Sequence, residues 1–173
     1  MYVRRTGLKE ESLKVLQVMN EVTSRTDLNG FAQMVGLTPT QTIEQIQELL
    51  NEGFVRKSGG GYGITEKGKS AIKAFAQVPD EANFHFYTGM GQPTEFKAGS
   101  IQSFYAAVKQ VPAESLEFHI SRGDFENWMR GEIQDAALAD ELAKIKSVGS
   151  EGEALRKELL DVIEAQYGAE ALA

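Results

Sequence analysis

The stretch "TPTQTIEQIQELLNEGFVRKSGGGYGITEKGK", residues 38–69, decides the fold of the first half of the chain. It opens with a Thr-Pro pair, the polar cap and first-turn proline that are preferred where a helix starts. Isoleucines and leucines then recur at helical spacing up to Gly53. We therefore expect a helix whose inner face carries Ile43, Ile46 and Leu50.

The rest of this stretch predicts a β-hairpin. Two short strands, 54–56 and 62–64, flank a Ser-Gly-Gly-Gly segment whose glycines can adopt the positive φ of a tight turn. Thr65 is the expected cap of the helix that follows, in "TEKGKSAIKAFA".

Two amphipathic helices are predicted ahead of this stretch, in "ESLKVLQVMNEV" and in "TDLNGFAQMVGL", where Gly36 suits a left-handed helix end. The order is that of a winged helix. Residues 1–77 resemble archaeal and bacterial winged-helix transcription regulators through "L-x-x-G-F-V-R-K", a glycine-rich wing and "G-I-T-E-K-G-K". The resemblance implies that the third helix enters the major groove of duplex DNA.

The candidate DNA-contacting residues lie on the third helix and the wing. They are Thr40, Gln41, Gln45, Arg56, Lys57 and Tyr62. The same helix also argues against DNA, because its predicted outer face holds Glu44, Glu48 and Glu52, which phosphates would repel. Arg4 and Arg5, with the lysines that follow the wing, add cations at the flanks. These cations either grip a DNA backbone or form an ordinary solvated face.

Charge separates the chain into two parts. Residues 1–77 carry 10 Lys and Arg against 8 Asp and Glu, whereas residues 78–173 carry 8 against 17, so the balance changes from +2 to −9. Residues 78–83, with Pro79, are the predicted linker between a winged-helix domain (1–77) and a second domain (84–173). The predicted fold class is mainly α with small β-hairpins.

The second domain is expected to open with a hairpin, "FHFYT" pairing with "TEFKAG", and to continue as helices. The predicted helix-boundary residues are Ser100, Pro112, Gly123, Asp124, Asp135, Gly149 and a capping box of Ser150 with Glu153. The last helix places Leu155, Leu159, Ile163 and Tyr167 on one face. That face either completes the core or pairs with a second copy of the chain.

The stretch "HISRGDFENW", residues 119–128, allows three interpretations. The first is a structural joint, in which Gly123 ends one helix and Asp124 caps the next. The second is a ligand- or partner-binding corner formed by His119, Arg122 and Trp128. The third is catalysis, with His119 as a general base oriented by Asp124, which would also require a nucleophile or activated water beside it.

Several motifs of the second half, among them "S-L-x-F-H" and "G-D-F-x-x-W", resemble an uncharacterised family of small archaeal and bacterial domains. That resemblance implies no activity and favours a regulatory or docking role.

Cysteine and histidine are scarce in the chain. It has no cysteine and two histidines, so a metal site, a thiol nucleophile and a bound cofactor are not expected, and the protein is predicted not to be an enzyme. No apolar run of membrane-spanning length or secretory signal is seen, which predicts a cytoplasmic protein.

We expect a DNA-binding transcriptional regulator whose acidic domain senses a ligand, dimerises or docks a partner. The alternative is a non-catalytic adaptor whose winged helix binds protein.

Overall fold

A computed structural model describes residues 8–22 and 24–172. The chain divides into two compact units, one extending to Lys73, which we call unit 1, and one formed by Ala74–Leu172, unit 2. Helices predominate, and each of the two sheets is a single antiparallel hairpin, so the predicted fold class is confirmed. Arg4 and Arg5 lie outside the described residues.

Unit 1 follows the predicted order of three helices, a hairpin and a fourth helix. The elements are α1 (Glu10–Glu21), α2 (Leu28–Val35), α3 (Pro39–Asn51), β1 (Val55–Ser58), β2 (Gly61–Ile64) and α4 (Glu66–Phe75). Ser58 pairs with Gly61, so Gly59 and Gly60 form the turn, and Gly59 has the positive φ of 57° that the glycine run predicts. The division between the units falls within α4.

The face of α3 that packs inward differs from the predicted one. Ile43 is 53% exposed, whereas Gln45 is only 8% exposed and faces the interior. Ile46 is buried, as expected, and Leu49 is fully buried. The prediction was wrong here because a buried hydrogen bond, from Ser12 Oγ to Gln45 Oε1 (2.5 Å), holds a polar side chain inside, which apolar spacing cannot reveal.

The start of α4 is fixed against the preceding hairpin. Thr65 Oγ1 accepts from the N–H of Gly68 at 3.1 Å, the expected capping contact, and donates to the carbonyl of Gly53 at 2.6 Å. A Cβ on Gly68 would lie 2.2 Å from the carbonyl oxygen of Phe54. Glycine is therefore required at position 68 for the helix to approach this backbone.

Unit 2 is a hairpin covered by helices. Its elements are a 3-10 turn (Asp80–Ala82), β3 (Phe84–Gly89), β4 (Gln92–Ala98), α5 (Ile101–Val108), α6 (Ala113–Arg122), α7 (Asp124–Trp128), a π-helical turn (Met129–Ile133), α8 (Ala136–Val148), α9 (Gly152–Tyr167) and α10 (Ala169–Leu172). α6 packs against β3 and α9, while α5 packs against β4. Residues 78–83, the predicted linker, belong to this unit, and the N–H of Val78 donates to Gly99 O at 2.8 Å.

Most helix boundaries of unit 2 follow the predicted residues. Ser100 caps α5, and the side chain of Asp135 accepts from the N–H of Leu138 at 3.0 Å to cap α8. Gly123 and Gly149 adopt the left-handed conformation at the ends of α6 and α8.

Two predicted caps are wrong. Ser150 donates to Glu158 instead of forming a capping box, and Glu153 pairs with Arg156. The carboxylate of Asp124 makes no capping bond, because it is bonded to two side chains of α6.

The apolar face of α9 lies inside unit 2. Leu155, Leu159, Ile163 and Tyr167 are all buried in the core, together with the rings of Phe86, Phe104 and Phe125. Of the two uses that the sequence allowed for this face, the fold therefore shows completion of the core.

Candidate functional site

An open groove of about 530 Å³ runs along unit 2 between the β3–β4 hairpin and the joint of α6 with α7. We call it the aromatic groove. Its walls include Tyr87, Met90, Phe118, Arg122, Asn127 and Trp128. His119 and Asp124 lie at its base. Its size falls within the range of about 300–1,000 Å³ that is common for small-molecule sites.

His119 connects three elements at this base. The N–H of Tyr87 on β3 donates to His119 Nε2 at 2.8 Å, and His119 Nδ1 lies 2.8 Å from Asp124 Oδ2 at the start of α7. Since Nε2 accepts, the ring proton is on Nδ1 and is donated to the carboxylate. Both nitrogens are therefore engaged, and no lone pair remains to act as a general base.

Burial sets the charge state of His119. The residue is 4% exposed, and its ring packs edge-on against Phe84 with centroids 4.8 Å apart. Burial lowers the pKa of His119 below its usual 6.5, the hydrogen bond to Asp124 opposes that shift, and the charge of Arg122 adds to it. The imidazole is consequently neutral at pH 7.

Arg122 forms one lip of the groove. Its Nε donates to Asp124 Oδ2 at 3.1 Å, and one terminal nitrogen, NH1, lies 3.4 Å from Met90 Sδ at the hairpin tip. The guanidinium also lies over the ring of Phe118, 5.1 Å from its centroid. With about half of its side chain exposed, Arg122 is held in place and still faces the groove.

Trp128 also lines the groove. Its Nε1 donates to the carbonyl of Ala82 at 2.7 Å, and its ring stacks on Phe104 at 5.7 Å. Only 7% of the residue is exposed, and that edge faces the groove. Of the three interpretations of residues 119–128, the geometry agrees best with a joint between helices, and the same residues line the aromatic groove.

Residues 81–172, more than half of the chain, match a protein family described as a family of unknown function (DUF5752). The chain belongs to the DUF5752 family. The resemblance of the second half to an uncharacterised family is thereby confirmed. No curated protein and no solved structure matches the chain.

The aromatic groove lies entirely within the DUF5752 region, which begins just before β3. Residues 1–80 carry no family match, so their resemblance to winged-helix regulators stays a prediction. Within the described residues, no helix is both long and apolar enough to cross a membrane.

Outside the DUF5752 region, the predicted DNA-contacting residues are distributed over α3 and the hairpin of unit 1. Thr40, Arg56, Lys57 and Tyr62 are exposed. Gln41 is exposed as well, but its Oε1 accepts from the N–H of Thr38 in the capping box. Gln45 is buried, which corrects its assignment to the outer face.

We call the exposed residues of α3 and of β1–β2 the α3–hairpin surface. Because α3 is rotated relative to the prediction, this surface presents Thr40, Ile43, Glu44, Gln47 and Asn51. Glu48 is half-buried and pairs with Lys9 at 2.6 Å. The lysine offsets the negative charge of one of the three carboxylates that are expected to repel phosphate.

Sequence reasoning missed several residues of the aromatic groove in the DUF5752 region, namely Tyr87, Met90, Phe118 and Asn127. Tyr87 and Met90 belong to the hairpin, more than 20 positions before α6. Phe118 had a usable signal, because it directly precedes His119 at the end of the predicted helix.

Proposed function

We propose that the protein is a non-catalytic DNA-binding regulator: unit 1 binds duplex DNA through the α3–hairpin surface, and unit 2 binds a regulatory ligand. The observation that carries the DNA-binding role is the composition of the exposed face of α3. Its amides and hydroxyl, on Gln47, Asn51 and Thr40, are groups that read base edges in a major groove.

The hairpin supplies the cations for backbone contact. Arg56 and Lys57 are consecutive on β1, so their side chains project from opposite faces of the hairpin. Both are exposed and make no ion pair with any residue that the structure describes. Cations of this kind neutralise phosphates and set the salt dependence of binding. Glu44 and Glu52 are exposed and oppose contact by repulsion, so the affinity for random duplex DNA is expected to be in the micromolar range at low salt.

Fluorescence anisotropy with the whole chain and a labelled random duplex tests the DNA-binding role. The double variant Arg56→Gln/Lys57→Gln should weaken binding at least about tenfold and reduce the slope of log affinity against log salt by about 2. A matched control, Lys144→Gln/Lys157→Gln, removes two exposed lysines of unit 2 and should leave the affinity unchanged. Binding too weak to detect in low salt, or binding that both double variants weaken equally, would refute the proposal.

A protein partner for unit 1 is the second candidate function, and one observation favours it. Ile43 and Met34 are each 53% exposed, and Ile43 lies centrally on α3, where an apolar side chain suits a protein interface better than phosphates. Ile43→Ser distinguishes the two functions. It should abolish binding of a purified protein partner, identified by cross-linking from position 43, whereas DNA affinity should change less than about threefold.

A further inference from the structure

The aromatic groove of unit 2 combines apolar walls with one fixed cation. Tyr87, Phe118 and the edge of Trp128 supply aromatic surface, and Met90, which is 77% exposed, supplies an adaptable thioether at the entrance. Apart from the two histidines, Arg122 is the basic residue among those that line the groove. A groove of this composition binds an apolar body and orients it through one polar group.

The guanidinium of Arg122 offers its outer edge to a ligand. Its Nε–H is taken by Asp124 and one NH1 hydrogen points towards Met90, so the other N–H groups have no partner among the described residues. Contact with Asp124, Met90 and the ring of Phe118 holds the planar group in one orientation. Pre-organisation of this kind reduces the entropy lost when a planar anion forms two parallel hydrogen bonds.

Charge decides the class of the polar group. A cationic ligand would be repelled by the Arg122 guanidinium, which already lies over Phe118 and beside Asp124. Asp124 lowers anion affinity less than its full charge suggests, because it is paired with Arg122 and accepts the Nδ1 proton of His119.

A single guanidinium suits a carboxylate better than a phosphate. A phosphate carries more charge and more acceptor oxygens than one arginine edge satisfies, and the neighbouring walls are aromatic. From these observations we propose that the aromatic groove binds a small apolar carboxylic acid, with the ring or branched chain against Tyr87, Phe118 and Trp128 and the carboxylate on Arg122. The inference names the ligand class for the regulatory role proposed for unit 2, and it rests on that role.

The chain contains one tryptophan, and it lines the groove, so its fluorescence reports occupancy. The test is titration of the whole chain, without DNA, with benzoate, benzamide and benzamidine, which share shape and differ in charge. Benzoate should change Trp128 fluorescence saturably, with a dissociation constant at least about tenfold below those of the other two compounds. No saturable change, equal affinities, or a preference for benzamidine would overturn the proposal.

Two variants tie the preference to the guanidinium. Arg122→Gln should bind all three compounds equally, while Arg122→Lys keeps the charge without the bidentate edge and should retain part of the preference. Arg130→Gln removes an exposed arginine of unit 2 that pairs with Asp140, and it should bind benzoate like the wild type. A benzoate preference that survives Arg122→Gln would also overturn the proposal.

Ligand binding and DNA binding are scored separately. If the chain binds the DNA duplex but not benzoate, only the groove proposal is refuted. If it binds benzoate but no DNA, only the DNA-binding role of unit 1 is refuted.

Discussion

The backbone N–H of Tyr87 donates to the side chain of His119, and this bond joins β3 to α6. Among the described residues β3 pairs with β4 alone, so its other edge has no strand neighbour there, and the imidazole supplies the acceptor for the Tyr87 N–H. The opposite nitrogen of the same ring is bonded to Asp124. One side chain therefore connects the hairpin, α6 and α7 at the base of the aromatic groove.

Replacing His119 should destabilise unit 2 strongly. His119→Ala leaves the Tyr87 N–H unsatisfied and opens a cavity beside Phe84, at a combined cost of about 3 kcal/mol in the free energy of unfolding. Urea denaturation measures that free energy. His85→Ala, at the exposed histidine of β3, is the control and should change it by less than about 0.5 kcal/mol. Equal effects of the two variants would contradict the role of His119 as a joint.

The same residue predicts a pH dependence of stability. Burial lowers the pKa of His119 in the folded state below the 6.5 of an unfolded histidine, so between these two values the unfolded state binds more protons. The free energy of unfolding should therefore fall as pH decreases from about 6.5 towards the folded pKa, by at most about 1.4 kcal/mol per pH unit.

The measurement is the difference in unfolding free energy between wild type and His119→Gln across this pH range. That difference should shrink as the pH falls, because the variant has no group at position 119 to protonate. A difference that stays constant from neutral pH to the acid end would show that His119 does not cause the dependence.

Local sequence signals predicted the helix ends well. Gly36, Gly123 and Gly149 end helices in the left-handed conformation, since glycine adopts a positive φ without steric cost, and that preference is readable from one residue in context. The order of elements followed from the same short-range patterns. Long-range partners could not be predicted from the sequence. Asp124, for example, was expected to cap α7, whereas it bonds to His119 on the preceding helix, a contact that depends on the direction of the turn at Gly123.

The inward face of α3 and several residues of the aromatic groove were not predicted correctly from the sequence, for a related reason. Apolar spacing placed Ile43 inside and Gln45 outside, whereas the buried bond between Gln45 and Ser12 reverses both positions. His119, Arg122 and Trp128 could be predicted together because they lie within one stretch of ten residues, 119–128. Tyr87 and Met90 reach the same groove only through the packing of α6 on the hairpin.

Gly68→Ala should destabilise unit 1. The added methyl would lie 2.2 Å from Phe54 O, a backbone atom, so α4 must shift away from the hairpin. We expect a loss of at least about 2 kcal/mol in unfolding free energy. Gly60→Ala is the matched control in the same unit, because a Cβ there meets nothing within 4 Å and its φ is not in the left-handed region. Comparable losses in the two variants would contradict the close approach.

Asp135 should contribute far more to stability than its neighbour on α8, Asp140. Asp135 is 2% exposed, caps α8, and accepts from Gln166 at 2.7 Å and from the hydroxyl of Tyr167. Burial, followed by the bond to Asp135, raises the pKa of Tyr167, which keeps that hydroxyl protonated as a donor.

Asp135→Ala is therefore expected to cost about 2–4 kcal/mol in unfolding free energy. Asp140→Ala removes an exposed ion pair with Arg130 and should cost less than about 1 kcal/mol. Thermal and urea denaturation of both variants provide the comparison, and similar losses would contradict the network.

Two glutamines of α3 should have opposite roles. Gln45 is buried and accepts from Ser12, so Gln45→Ala should cost about 1–3 kcal/mol in unfolding free energy by leaving that hydroxyl poorly satisfied. Gln47 is exposed and bonds only to Asn51 among the described residues, so Gln47→Ala should change stability by less than about 0.5 kcal/mol. If the α3–hairpin surface binds DNA, Gln47→Ala should instead weaken duplex binding, measured by anisotropy at a temperature where both variants are folded. A loss of stability in Gln47→Ala with none in Gln45→Ala would restore the originally predicted face of α3.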